Sequence, residues 1–166
     1  MDAYIQALAW FARRELSESQ VRRRLARRGI DEAAIDDAVG RLKQERALDD
    51  RRVALAFARS AVTLKGRGPA RVKRDIEALG INRDVARAAI DEVFGDVDQS
   101  SLLDRALNRR WPRTGTPDQR VLQRIYRGLV QQGFPHDQIM AALRARRDSG
   151  GSGGGSVGGS GGGEEI

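Results

Sequence analysis

Arg22, Arg23, Arg24, Arg27 and Arg28 crowd into seven residues around Leu25. A guanidinium is a permanent cation whose planar fork matches phosphate or carboxylate oxygens. If Val21 and Leu25 mark the buried face of a helix, a turn of about 100° per residue sets Arg23 and Arg27 nearly opposite that face. The arrangement recurs, with Arg71, Lys73 and Arg74 around Val72, and Arg120, Arg124 and Arg127 around Ile125. One cluster alone reads as a solvated helix face, with Arg28 also placed to favour a helix C-terminus. Three clusters in one pattern read as an extended surface for an anionic partner.

The other reactive side chains point away from catalysis. The chain has no cysteine, so it has no disulfide, thiolate metal site or cysteine nucleophile, as in proteins of a reducing compartment. His136, beside Asp137, is the single histidine, too little for a recognisable metal site, and no serine sits in a triad pattern. Asp49 and Asp50 directly precede a helical pattern, where a carboxylate caps free amides. Gly66 and Gly68 lack the lysine and hydroxyl residue of a phosphate loop. Asp31, Glu32, Asp36 and Asp37 form an acidic patch, either a solubilising face or a counterpart to a basic surface. The expectation is a binding protein without metal or cofactor, not an enzyme.

Charge supports an anionic partner. All thirty Lys and Arg precede Ser149 against twenty-one acids there, a net +9, while the remainder carries Glu164 and Glu165. Residues 1–48 and 49–97 each have ten basic and eight acidic residues, but 98–148 has ten against five, making it the expected anion contact. In that segment Arg109, Arg110 and Arg113 flank Trp111, which could stack on a nucleobase or, with Pro112 ending its helix, pack against a neighbour. The uncharged stretch Ala3 to Ala12 is too short to cross a bilayer and lacks a signal peptide's basic start, so a soluble cytoplasmic protein is expected; it is also expected to be a monomer.

The elements that must position these side chains emerge from an internal repeat. Gly29, Gly80 and Gly133 align without gaps. Val21, Val72 and Ile125 stand eight residues before them, and Leu25, Ile76 and Leu129 stand four before. Ile30, Ile81 and Phe134 follow directly, and Val39, Ile90 and Leu143 come ten after. Each copy predicts a helix, a left-handed glycine turn and another helix. Ser17 with Gln20 forms a capping box, and Pro69 after Gly68 suits a first helical position. An upstream helix precedes each pair: Ala3 to Glu15 with Leu8 and Phe11, Asp49 to Leu64 with Val53 and Phe57, and Ser100 to Trp111 with Leu103 and Leu107. No segment alternates as a strand.

The fold class is therefore all-α: three tandem three-helix repeats, 1–48, 49–97 and 98–148, in an elongated, curved array. Residues 149–166, rich in Gly and Ser, are expected to form a flexible tail outside the functional part.

With these residues in place, the chain resembles the RecX family of RecA regulators over about residues 5 to 146. The segment from Leu8 to Leu25, centred on Ala-Trp-Phe-Ala-Arg-Arg-Glu-Leu-Ser, is similar to the family's opening stretch. Leu48, Asp49 and Asp50 resemble its "LDD" signature. Gly66, Gly68, Pro69, Val72, Asp75, Ile76, Gly80 and Ile81 resemble its "GxGPxxIxxEL…GI" segment, and Gly133 with Phe134 its late "RGF". Val53, Arg67 and Leu79 depart from the usual residues. The resemblance implies the same fold, and a partner in the RecA filament on single-stranded DNA, whose groove the protein occupies, limiting filament growth, recombination and the SOS response. The residues themselves leave open a second reading, a sequence-independent DNA-binding protein that meets phosphates directly.

Overall fold

The computed structural model describes residues 2–151. These form nine α-helices and no strand: α1 (Ala3–Phe11), α2 (Glu18–Ala26), α3 (Glu32–Gln44), α4 (Asp50–Lys65), α5 (Pro69–Ala78), α6 (Arg83–Gly95), α7 (Gln99–Asn108), α8 (Gln119–Gln132) and α9 (His136–Gly151). They group in threes, as the repeat requires. The expected flexible tail falls largely on residues 152–166, outside the described residues; α9 itself runs on to Gly151.

Capping explains where most helices start. The side chains of Asp2, Ser17, Asp31, Asp49, Asn82, Asp98 and Asp118 each accept a backbone N–H from the first turn that follows. Ser17 and Gln20 form the full capping box, and Pro69 opens α5 as its first residue. Two helices stop earlier than their patterns suggest. α1 ends at Phe11, not Glu15, because Ser17 needs extended backbone to cap α2 and Leu16 turns wholly into the core. Leu8 and Phe11 are then only half-buried, and Ala3, Gln6 and Ala7 form the inner face. α7 ends at Asn108, where the Arg110 and Trp111 amides both turn back to the Leu107 carbonyl.

The aligned positions form the core. Val21, Val72, Leu25, Ile76 and Leu129 are fully buried, and Ile125, Val39, Ile81, Phe134, Ile90 and Leu143 nearly so; Ile30 alone is half-buried. Burial of such side chains drives folding. It is divided unevenly: the first unit closes its own cluster around Val21, Leu25, Val39 and Leu42, whereas the second and third share one cluster running from Val53 to Leu143. A fifty-residue unit has little interior, and sharing enlarges it.

The units join through one repeated contact between middle helices. At the head of α2, Ser17 Oγ donates to the Leu79 carbonyl at 2.6 Å. At the head of α5, the Gly68 amide donates to the Gln132 carbonyl at 2.8 Å, and Ala70 N to the Gly133 carbonyl at 3.2 Å. Leu79 and Gln132 each precede the repeat glycine of the next unit. Thus α2, α5 and α8 follow head to tail, the N-termini of α2 and α5 each meeting orphan carbonyls at the end of the next unit's middle helix.

Close backbone approach at these joints requires glycine. Gly80 and Gly133 have φ of +79° and +97°. A Cβ on Gly133 would lie 2.9 Å from Arg71 Cα, and one on Gly68 would lie 2.5 Å from the Gly133 carbonyl oxygen. Further bonds fix the first joint: Asp50 Oδ1 accepts from the Glu18 amide at 2.8 Å, and Arg52 grips both Glu15 carboxylate oxygens at 3.1 Å.

Candidate functional site

The repeat operation places one arginine at the same point of each middle helix. Arg23, Arg74 and Arg127 stand six residues before Gly29, Gly80 and Gly133, and all three are exposed. Each lies about 180° around its helix from the buried pair Val21/Leu25, Val72/Ile76 or Ile125/Leu129. None makes an ion pair among the described residues. Arg23 only folds back, Nε donating to the Ser19 carbonyl at 3.3 Å, and Arg27 beside it is likewise exposed.

The neighbouring cations behave differently. Arg71 Nε meets Asp75 at 3.0 Å, and Lys73 Nζ lies 3.9 Å from Glu77, both across one helical turn. Arg22 is held between Glu18 at 2.8 Å and Asp36 at 2.5 Å, so the acidic patch of the first unit is partly spent on its own arginine. Lys43 also reaches Glu18 at 2.8 Å; its hydrogen bond, with Arg22, holds the Glu18 carboxyl below its ordinary range despite partial burial.

Neutralisation stops at Glu92. Every ion pair among the described residues joins partners between Glu15 and Glu92, and none involves the third unit. Two of that unit's acids, Asp98 and Asp118, are occupied as caps. None of its arginines has a carboxylate within ion-pair distance among the described residues. Arg120, Arg124 and Arg127 form a stripe at helical spacing on α8, all exposed. Arg110 lies against α8, its Nε 3.0 Å from where a Cβ of Gly128 would stand, and its guanidinium donates to the Ala106 carbonyl at 3.0 Å. Partial desolvation, with Arg109 nearby, pushes the Arg110 pKa down. Arg109 and Arg113 are exposed at the end of α7 and in the loop beyond it.

Both tryptophans sit under arginines. Trp111 is half-buried against the shared core, with the Arg146 guanidinium 5.5 Å from its ring centroid. Of the two roles open to it, packing is the one it fills here. Trp10 carries Arg24 at 5.4 Å and Arg28 at 5.3 Å, a pair that sequence reasoning read as part of the basic run, with Arg28 also placed to favour a helix C-terminus. Their i, i+4 spacing, with Arg24 in the last turn of α2 and Arg28 in the turn just beyond it, was the available signal, but nothing local points to the partner on α1.

The remaining singled-out residues are architectural. Leu48 is buried, Asp49 caps α4, Gly66 closes α4 with φ +58°, and Asp50 is half-buried at the first joint, its carboxyl pushed up by desolvation. His136 opens α9, and its Nδ1 shares a 2.7 Å hydrogen bond with the Tyr126 hydroxyl. Among the described residues no group of His, Cys, Asp or Glu is placed to hold a metal ion, and no helix is long and apolar enough to cross a membrane.

Fold and surface together define an all-α tandem-repeat protein whose three units each carry an exposed arginine at the same position of the middle helix. Three family models match in order: the first RecX three-helix domain over residues 3–42, the second over 49–90 and the third over 97–143. The chain belongs to the RecX family. It is 36% identical over 141 residues to a Regulatory protein RecX of Halorhodospira halophila, covering 84% of each. It is 31% identical over 144 residues to one of Geobacillus kaustophilus, covering 85% of this chain and only 52% of that relative, so it spans about half its length. In fold it is similar to a solved regulatory protein RecX (TM-score 0.75, 19% identity, 86% of this chain and 70% of that one) and to RecX from Lactobacillus salivarius (TM-score 0.72, 20% identity, 86% and 93%).

Proposed function

We propose that this protein is a regulator, mainly a negative one, of RecA, and that it lodges its head-to-tail middle helices in the groove of RecA filaments on single-stranded DNA. The observation that supports this most is the exposed, unpaired arginine repeated at Arg23, Arg74 and Arg127. A partner that is itself a repeating polymer meets a repeated cation at each unit, and multivalent engagement of this kind gains affinity without new contact types. In this role the protein limits filament growth and so restrains recombination, repair and SOS activity in the cytoplasm. It works as a monomer, contributing binding energy and no covalent chemistry. Arg27, Arg109, Arg110, Arg113, Arg120 and Arg124 add to the same surface, while Arg71 and Lys73 contribute less because Asp75 and Glu77 already engage them.

The uncompensated charge of the third unit favours a second reading, direct sequence-independent binding of DNA phosphates. Fluorescence anisotropy of the labelled protein with RecA–ATP–single-stranded DNA filaments, with RecA alone and with DNA alone, at two salt concentrations, separates them. Selective binding to filaments is the expected result. Equal, steeply salt-dependent binding to bare DNA would overturn the filament reading in favour of phosphate binding.

A further inference from the structure

A groove on another face of the third unit has a chemistry that the arginine stripe does not. It runs between α8 and α9 and is lined along α8 by Gln119, Leu122, Gln123 and Tyr126, and along α9 by Met140, Leu143, Arg144 and Arg147; its volume is about 190 Å³. Both sets follow the i, i+3, i+4, i+7 spacing of a helix stripe. α8 and α9 are joined only by residues 133–135, so they run back on one another, with Tyr126 toward the turn and Gln119 and Arg147 toward the open end. The floor is apolar, with Leu143 buried and Leu122, Tyr126 and Met140 half-buried. Arg144 and Arg147 on the wall are exposed, and neither makes an ion pair among the described residues.

We propose that this groove binds an acidic peptide segment of a protein partner, one carrying a large apolar side chain between carboxylates. Charge complementarity commits the choice. The groove belongs to the unit with ten basic and five acidic residues, and its two arginines lie within one turn of each other on α9, where two carboxylates can be met together. A nucleic acid would satisfy the arginines but leave Leu122 and Met140 against sugar and phosphate, whereas an alkyl or aromatic side chain fills the floor. Gln119 and Gln123 supply amides for the peptide backbone. The groove lies about 100° around α8 from Arg120, Arg124 and Arg127, so it and the stripe can be occupied together. The proposal stands whichever polymer the stripe meets.

The test uses the full chain and a fluorescein-labelled octapeptide, Gly-Glu-Glu-Leu-Phe-Glu-Glu-Gly, followed by anisotropy. Its counterpart with Ala-Ala in place of Leu-Phe serves as control, and an oligothymidylate as competitor. The groove predicts saturable binding of the first peptide, weaker by about ten-fold for the Ala-Ala peptide and by about ten-fold for the Arg144→Glu, Arg147→Glu variant. Both variant positions are exposed, so folding is retained, and an unchanged melting temperature checks this. Met140→Glu should lose binding as well. Equal affinity for both peptides would overturn the proposal, because charge alone would then account for binding. So would an oligothymidylate that displaces the peptide and itself binds less well to the Met140→Glu variant.

Discussion

The Gly68 amide donates to the Gln132 carbonyl across 2.8 Å, linking the head of one middle helix to the tail of the next. Ser17, which occupies the position of Gly68 one unit earlier, makes the equivalent link through its hydroxyl to Leu79. The joint is thus conserved in geometry but not in chemistry. One unit uses a side-chain oxygen that also caps α2, and the other uses bare backbone that only glycine lets close enough.

Glycine substitutions should rank by what a Cβ meets. At Gly29 it meets open space, and only the left-handed backbone opposes it, at a cost of about 1 kcal/mol. At Gly133 it would collide with the Arg71 backbone, which cannot swing aside. Thermal denaturation should therefore show Gly133→Ala losing clearly more stability than Gly29→Ala. Equal losses would mean that the second joint is not as described.

Core truncations should separate the two clusters. Leu25→Ala and Leu129→Ala each remove a fully buried side chain and should cost about 2–5 kcal/mol. Leu25 belongs to the first unit's own core and Leu129 to the core shared by the other two. Hydrogen exchange should find Leu25→Ala loosening chiefly α1 to α3 and Leu129→Ala loosening α4 to α9. Uniform loosening by both would show a single cooperative unit.

Asp50 gives a pH-dependent prediction. Burial raises its folded pKa above the unfolded value, so the ionised form is disfavoured in the fold, and the group's contribution to stability improves as pH falls through the folded pKa. Asp50→Asn keeps an acceptor for the Glu18 amide without the charge. It should match or exceed wild-type melting temperature near neutrality, with the advantage vanishing in acid below the usual aspartate range. An Asn variant that is less stable at neutral pH, and recovers in acid, would contradict this.

Much of the fold was legible because its signals are local. The glycines, the apolar residues eight and four positions before them, and the Ser17 capping box are set within one or two helical turns. The joints were not legible, because their acceptors are the backbone carbonyls of Leu79 and Gln132, and a carbonyl leaves no trace in residue type. For the cationic surface the opposite holds. Exposure of Arg23 and Arg27 followed from periodicity, yet the loss of Arg71 and Lys73 to Asp75 and Glu77 was also written in i, i+4 spacing. The difference between Arg22 and Arg23 was less accessible, since Asp36 reaches Arg22 from another helix. Likewise, α1 fell short of Glu15 because Leu16 is drawn into a core that Leu25 and Leu42 complete from elsewhere in the sequence.

The third unit should dominate the electrostatics of binding. Replacing Arg120 and Arg124 with Ala leaves their helix face exposed and the core untouched, so circular dichroism should be unchanged. The salt dependence of anion binding should flatten, by up to about one unit of slope for each arginine that contacts a phosphate. An unaltered slope would place the anion contact elsewhere.

The central claim is that arginines at one repeat position engage a repeating partner. It is tested most directly by the triple variant Arg23→Ala, Arg74→Ala, Arg127→Ala, assayed by anisotropy on RecA–ATP–single-stranded DNA filaments beside the three single variants. The account predicts modest losses for each single variant, a loss for the triple at least as large as their combination, and an unchanged melting temperature. Wild-type filament binding by a folded triple variant would contradict it.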